Sequence, residues 1–169
     1  MNPADLLSAM KRTVEQLAAY NEMAKALTST LELREVLALV MQKVSALLKP
    51  RNWSLILQDE RSGKLYFEIA VGEGAEALKA LQLNPGEGIA GAVFSSGVAR
   101  LVHDVAGDSS FAPRFDEASA FHTRSLLAVP LVARERVLGV IELVNGPTEP
   151  GFTHDDLTAL SAIADYAAI

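Results

Sequence analysis

Over the first 48 residues, apolar and polar positions alternate with a helical period. In residues 4–28, small and apolar side chains recur at spacings of three and four, which is the pattern of a helix that buries one stripe. Cap residues follow at Ser29–Glu32, and a broad apolar face resumes over residues 32–48. We therefore expect two helices, with an N-terminal helical region over 1–28 and the main domain over 29–169.

The first of these helices carries a seam of nearly three heptads. One interpretation is an amphipathic helix that lies on its own domain. The other is a coil that joins two copies of the chain, with the asparagine in the seam fixing the register. The second helix already has a broad apolar face, which favours the homodimer. The seam residues are Leu7, Met10, Val14, Leu17, Asn21 and Ala24.

Beyond Pro50 the apolar period changes to two, which is typical of strands. Residues 52–60 and 64–72 predict one hairpin, residues 99–104 a short strand, and residues 124–132 with 136–144 a second hairpin. Tight connections make neighbouring strands antiparallel. The sequence therefore predicts an α+β fold: a central antiparallel sheet of five to six strands with helices on both faces.

Three details of this sheet and its last helix are also predicted. In the second strand, Leu65, Phe67, Ile69 and Val71 are expected to share one face. Pro130 lacks a ladder donor and is expected at an edge or an irregular position. The closing helix is expected to begin after Thr153, with Asp156 completing the cap.

The stretch "NPGEGIAGAVF", residues 84–94, contains the spacing G-x-G-x-x-G, which occurs in dinucleotide-binding enzymes. Such enzymes need a buried strand before the first glycine and a long crossover helix after the last. Here Pro85 precedes the first glycine, and only about two helical turns fit before Gly97. We therefore expect a turn at Gly86, close packing of a short helix at Gly88 and Gly91, and a left-handed cap at Gly97.

Composition narrows the possible functions. The chain has 169 residues, a net charge of −6 and no cysteine, which excludes disulfides, thiolate metal sites and thiol catalysis. No basic run points to nucleic acid, no apolar run is long enough to cross a membrane, and no signal peptide is visible. We expect a cytoplasmic protein that uses no metal and no cofactor.

The segment "LNPGEGIAGAVFSSGVARLVHDVAGDSSFAP" resembles the central part of GAF domains. The flanks agree: "STLELREVLALVMQKVSALL" is similar to the entry helix of that family, "RSLLAVPLV…RVLGVIELVN" to its final strands, and "FTHDDLTALSAIADYAA" to its exit helix. The resemblance extends over about residues 20–169.

The resemblance implies a non-enzymatic sensory module of a bacterial signalling protein. It implies a homodimer that binds an unknown small molecule above the sheet and passes the signal through its terminal helices to an output domain, which we expect after "ADYAAI". The alternative is a dimerisation module without a ligand. From the expected strand ends and roof helices we predict a pocket lined by Ile89, Val93, Phe94, His103, Asp104, Phe111, Phe121, Arg124, Ser125 and Leu127.

A second alternative is a cyclic-nucleotide-binding GAF domain. That subset carries an Asn-Lys…Phe-x3-Asp-Glu signature, of which Asn145, Phe152 and Asp156 are present, while Gly146 and Leu157 replace the lysine and the glutamate. The lysine–aspartate pair of the signature therefore cannot form. We expect Asn145 in a turn, Phe152 in a hydrophobic contact and Asp156 in a helix cap.

Enzymatic variants of the fold find little support in the residues. Its methionine-sulfoxide reductases and its covalent bilin carriers rely on cysteine, and the three histidines stand alone rather than in ligand-spaced clusters. The residues Asp116, Glu117 and His122 are expected to be solvated charges rather than an acid–base pair.

Overall fold

In the computed structural model the described residues are 2–167, and of residues 22–34 and 166–167 only the backbone is described. The chain divides into two compact units, Met1–Met41 and Gln42–Ile169. The predicted domain boundary at residue 28 therefore stays a prediction. The boundary between the two compact units lies between Met41 and Gln42.

One helix, α1, extends over Pro3–Leu48. The prediction of two helices with a cap at Ser29–Glu32 was wrong. Neither glycine nor proline lies between Pro3 and Pro50, and serine and threonine inside a helix cost only some tenths of a kcal/mol each, on the order of 0.5. Cap residues permit a helix end but do not impose one, because a breaking residue is also needed.

Six strands form a single antiparallel sheet in the order β3-β2-β1-β6-β5-β4. The fold class is therefore as predicted. The strands are β1 (Asn52–Gln58), β2 (Leu65–Val71), β3 (Gln82–Leu83), β4 (Arg100–Val102), β5 (Ser125–Ala133) and β6 (Arg136–Asn145).

Three further helices follow α1: α2 (Gly88–Ser96), α3 (Arg114–Ser119) and α4 (His154–Ala167). Two 3₁₀ helices, Ala75–Ala80 and Val105–Gly107, complete the fold. The predicted cap of α4 is confirmed, since the Thr153 N–H donates to Asp156 Oδ2 at 2.8 Å and the Asp156 N–H donates to Thr153 Oγ1 at 3.2 Å.

The glycine-rich stretch builds the start of α2 and has the mechanical role that we expected. The Gly86 N–H donates to the Gly91 carbonyl at 2.9 Å, and a Cβ on Gly91 would lie 2.9 Å from the Asn84 carbonyl oxygen. Any side chain at residue 91 would therefore push this turn apart. Gly97 ends α2 in the left-handed conformation, with φ of 69°.

The two faces of the sheet can be read from the strand pairing, because side chains alternate between faces. The face that we call the roof face carries Ile56, Leu126 and Val140, which form one buried cluster with Ile89 and Val93 of α2. The opposite face, called the α4 face, carries buried apolar residues of the same strands. These are Leu55, Leu127, Val129, Ile141 and Leu143.

A register shift separates the two halves of β2. Leu55 pairs with Ile69, whereas the next residue, Ile56, pairs with Phe67. The extra residue forms a β-bulge. On one side of the bulge the buried residues of β2 are Leu65 and Phe67, and on the other side the buried residue is Ala70. The prediction that four alternate residues share one face therefore fails beyond Phe67.

The second hairpin turns at Arg134 and Glu135, whose φ values are both positive at 51° and 64°. This is the backbone of a type I′ turn, which suits the twist of two antiparallel strands. Pro130 lies beyond Leu126–Ala128, the part of β5 that β4 pairs. Its expected position at an edge is therefore confirmed.

Candidate functional site

A roof of short helices covers one half of the roof face. The chain from β2 to β5 forms it, and Phe111 and Phe115 of this segment pack against the buried cluster. Arg114 fastens α3 to the turn before α2, because its guanidinium contacts both Glu87 carboxylate oxygens at 2.9 and 3.0 Å and the Gln82 carbonyl oxygen. Helix α3 ends at Ser119, and the next residue, Ala120, has a positive φ of 57°.

Two small cavities remain between this roof and the sheet, each of about 40 Å³. We call the pair the roof cavity. Each has room for one or two water molecules, far below the roughly 300 Å³ of a typical ligand pocket. The residues that line both parts are Phe67, Phe115, Asp116, Thr123, Glu142 and Val144.

An open groove of about 530 Å³ lies outside the roof cavity. We call it the outer groove. Phe111, Asp116 and Thr123 line both the outer groove and the roof cavity. Thr123 donates to Asp116 through its backbone N–H at 2.7 Å and its hydroxyl at 2.6 Å. This hydrogen-bonded pair therefore stands between the cavity and the larger groove.

Glu142 is the acidic residue at the floor of the roof cavity. It lies in the middle of β6, between Ser54 of β1 and Ala128 of β5. The residue as a whole is half-buried, but its carboxyl lies away from bulk solvent, and we assign its remaining accessible surface to the cavity wall. This desolvation, with a smaller contribution from the Asp116 charge, raises the pKa of Glu142 to about 7.

A second carboxylate, Asp108, has the opposite behaviour. Burial disfavours its charge, but hydrogen bonds from the Ser110 N–H and from Arg100 outweigh the burial and lower its pKa. Asp108 is thus a paired structural carboxylate.

The family model described as "GAF domain" matches residues 32–169. The chain belongs to the GAF domain family. Among curated relatives, it is 27% identical over 143 residues to a probable 3',5'-cyclic phosphodiesterase of Caenorhabditis elegans. The aligned region covers 79% of this chain and 20% of that protein. It is 28% identical over 153 residues to the Nif-specific regulatory protein of Herbaspirillum seropedicae, with 89% and 28% covered. The chain thus spans less than a third of either relative.

Solved structures agree on the GAF fold. A GAF domain/HD domain protein of Geobacter sulfurreducens superposes with a TM-score of 0.67 at 18% identity, covering 80% of this chain and 89% of that one. A type II free methionine-R-sulfoxide reductase of Thermoplasma acidophilum gives a TM-score of 0.63 at 22% identity, with 78% and 85% covered. At 18% and 22% identity, these similarities show the fold alone.

Four of the ten residues predicted to line a ligand pocket line the roof cavity or the outer groove of this GAF domain. Phe111 and Phe121 line the roof cavity, while Asp104 and Arg124 line the outer groove. His103 is exposed at the end of β4. The Asp104 carboxylate also caps the 3₁₀ helix Val105–Gly107 by accepting from the Ala106 N–H at 3.1 Å.

The other predicted lining residues of the GAF domain lie apart from the roof cavity. Ile89 and Val93 are buried in the cluster beneath α2, and Phe94 packs against that cluster. Ser125 and Leu127 lie on the α4 face, because they alternate with Leu126 and Ala128. The Ser125 hydroxyl accepts from the Phe152 N–H at 3.1 Å. The structure thus separates these two residues from the cavity with which the sequence associated them.

Glu142 and Thr123 were not predicted for the site of this GAF domain, and Asp116 was expected to be solvated. Asp116 is instead half-buried and faces inward. The signal for Glu142 was the strand period, since a carboxylate between Val140 and Val144 on one face of a central strand stands out.

The cyclic-nucleotide signature residues of this GAF domain have structural contacts. Asn145 accepts from the Arg51 N–H at 2.7 Å and donates to the Pro150 carbonyl at 3.0 Å. Phe152 is buried, and Asp156 caps α4. Phe152 and Asp156 thus have the structural roles that the sequence predicted. The prediction for Asn145 was wrong, because it is the last residue of β6 and pairs with Ser125 rather than lying in a turn.

The dimer seam predicted for the GAF domain lies on α1. Leu7, Met10, Val14 and Leu17 are between 58% and 70% exposed, Asn21 is exposed, and Ala24 lies outside the residues whose side chains are described. Among residues 2–167, no helix is long and apolar enough to cross a membrane. Within the same part of the chain, no group of three potential metal ligands occurs.

Proposed function

We propose that this GAF domain is a non-enzymatic sensory module of a signalling protein. It binds a small molecule in the roof cavity and outer groove, and it responds through its terminal helices. The observation that carries the proposal is the incompletely filled interior beneath a roof of short helices, with a carboxyl group at its floor. Well-packed interiors rarely keep such a feature without a role.

A route for the response follows from the strands themselves. Glu142 faces the cavity from β6, and the flanking Ile141 and Leu143 face the opposite side. On that side α4 contacts β5. A ligand that shifts β5 and β6 would therefore change the packing of α4. The size of the effect is limited by the difference in ligand affinity between the two packings.

The relatives give support of a general kind. They include a Nif-specific regulatory protein, a two-component sensor histidine kinase protein and a methyl-accepting chemotaxis protein. The cysteine-free composition disfavours thiol-based reductase chemistry. We infer a regulatory role rather than catalysis.

Two alternatives have an observation in their favour. The small volume of the roof cavity favours a dimerisation module without ligand. The phosphodiesterases among the relatives favour cyclic-nucleotide binding. Against the latter, the lining of the roof cavity carries two carboxylates and no cation, and would repel a phosphodiester anion.

Thermal unfolding with a panel of cyclic nucleotides, amino acids, organic acids and amines tests ligand binding. A ligand of the folded state should raise the Tm with its concentration. Amide NMR shifts should then be largest at Ser54 and Thr123, which line the cavity, and smaller at Leu160 in α4. A panel without any dose-dependent shift would leave the ligand-free dimerisation module as the better account.

We further propose that two copies associate through the α1 seam, because its apolar side chains are exposed and spaced in heptads. The double substitution Val14→Glu with Leu17→Glu should convert the dimer to a monomer in light scattering. The nearby Gln16→Glu, which lies off the seam, is the control. A double variant that remains dimeric would rule out the seam as the interface.

A further inference from the structure

The lining of the roof cavity combines aromatic rings with negative charge. Phe67, Phe111, Phe115 and Phe121 contribute the rings, and Asp116 and Glu142 are its charged residues. Among the described residues that line its two parts there is no lysine, arginine or histidine. The lining therefore combines acidic groups with aromatic rings and contains no cationic side chain.

Glu142 stands out from the other polar residues near it. Asn52 donates to the Glu73 carbonyl at 2.8 Å, and Thr123 donates to Asp116. Within the part of the chain that the structure describes, the carboxyl group of Glu142 has no hydrogen-bond partner. A carboxylate in the interior without a partner on the protein is costly, because burial disfavours its charge.

The groups that face Glu142 make this cost larger. From α3 comes Asp116, whose charge opposes ionisation of Glu142. From β1 and β5 come Ser54 and Ala128, which carry no charge. Arg100 lies on the same face beyond Ala128, but it pairs with Asp108. Nothing in the described surroundings therefore neutralises Glu142.

We propose that the roof cavity binds a small organic ammonium ion, with its charge against Glu142 and its alkyl groups against Phe67 and Phe115. The inference rests on the proposed function, since it names the ligand class of that sensory site. An ammonium ion compensates the carboxylate and gains cation–π attraction from the ring faces. Phe115 already holds one cation in this way, with the Arg114 guanidinium carbon 4.5 Å from its ring centre.

A metal ion fits this cavity less well. Hard divalent ions need six or more oxygen ligands, or keep several waters, and no group of three potential ligands occurs among the described residues. Phenylalanine rings cannot replace a hydration shell, whereas they suit alkyl groups on nitrogen. The chemistry of the lining therefore favours an organic cation.

The route of entry leads through the pair Asp116–Thr123, which separates the cavity from the outer groove. Methylammonium fits the existing volume, while a larger ammonium compound would leave its body in the groove or displace α3. That helix has six residues and ends in a positive-φ alanine, Ala120, a conformation that is unfavourable without glycine. A segment this short can move at modest cost.

The test titrates the full chain with methylammonium, ethylammonium and choline, followed by amide NMR and thermal unfolding. The uncharged shape match of choline, 3,3-dimethylbutan-1-ol, is the ligand control. We expect saturable shifts at Thr123 and Ser54 at pH 8 that are about tenfold weaker in affinity at pH 6, because most of Glu142 is then protonated. The uncharged alcohol should give no saturable shift.

The substitution Glu142→Gln should abolish ammonium binding at pH 8, while Glu60→Gln, which removes an exposed carboxylate from the turn between β1 and β2, should leave it unchanged. If Glu142→Gln fails to fold, the pH dependence of the unaltered protein decides. Binding that is equal at pH 6 and pH 8, equal for the alcohol and choline, or absent for all three amines would overturn the proposal.

The experiments distinguish failure of the ammonium proposal from failure of the proposed sensory function. An anionic or neutral compound from the wider panel that shifts Ser54 and Thr123 would overturn the ammonium proposal and support the sensory site. Ammonium binding that leaves the amide signals of α4 unchanged would support the ligand class and count against signal transmission.

Discussion

The two faces of β5 and β6 are built differently although they belong to the same strands. On the α4 face, Leu127, Val129, Ile141 and Leu143 are fully buried and apolar. On the roof face of the same strands, Glu142 lies between Val140 and Val144 beneath a partly empty interior. The α4 face therefore contributes mainly to stability, whereas the roof face is less tightly packed around a site that can respond to a ligand.

Two neighbouring leucines of β5 test this comparison most strongly. Leu127 lies on the α4 face and Leu126 on the roof face, and both are buried. We expect Leu127→Ala to lower the free energy of unfolding by about 4 kcal/mol and Leu126→Ala by about 2 kcal/mol. The roof side loses less, since its short helices can settle and water can enter next to polar groups. Urea denaturation measures both, and equal losses would contradict the distinction between the faces.

The pH dependence of stability sharpens the comparison. Folding raises the pKa of Glu142 from its ordinary 4.5 to about 7, so its stabilising effect is complete below about pH 4.5 and is lost as pH rises through 7. Glu142→Gln should therefore be more stable than the unaltered protein at pH 8, by roughly 2 kcal/mol, and nearly equal to it at pH 5. Denaturation at both pH values checks this, with Glu117→Gln as the control. A gain of the same size at both pH values would contradict it.

The smallest effect is expected at the rim of the roof. The Arg114–Glu87 pair is partly exposed, with side chains 45% and 28% accessible, so Arg114→Ala should cost less than about 1 kcal/mol in unfolding free energy. Its effect on local opening should be clearer, with faster amide exchange in α3 than in α4. Arg136→Ala, at the exposed start of β6, is the control. Unchanged exchange in α3 would mean that the ion pair does not hold the roof.

The strands were predictable because period-two runs and tight turns are local properties of the sequence. The same local reasoning failed for α1, where cap residues at Ser29–Glu32 did not interrupt the helix. In β2 one bulge residue shifted the faces beyond Phe67. A bulge depends on how two strands meet, and the alternation within one strand does not encode it.

The site was less predictable than the fold. Ser125 is predicted to contact a ligand because it lies at a strand end, and yet it lies on the α4 face. The face of a strand residue depends on the register, and an offset of one residue reverses it. Glu142 was overlooked because a lone glutamate in a strand is usually solvent-exposed. Its environment results from α3, whose residues Phe115 and Asp116 line the same cavity.

The borders of the sheet carry a further consequence. β3 has two residues and β4 has three, and where β4 ends, Pro130 removes a backbone donor from the open flank of β5. A second molecule finds little continuous backbone there onto which to add a strand. Self-association by strand addition, including the growth of fibrils, is therefore disfavoured. Contacts between copies of this domain would have to form through side chains instead.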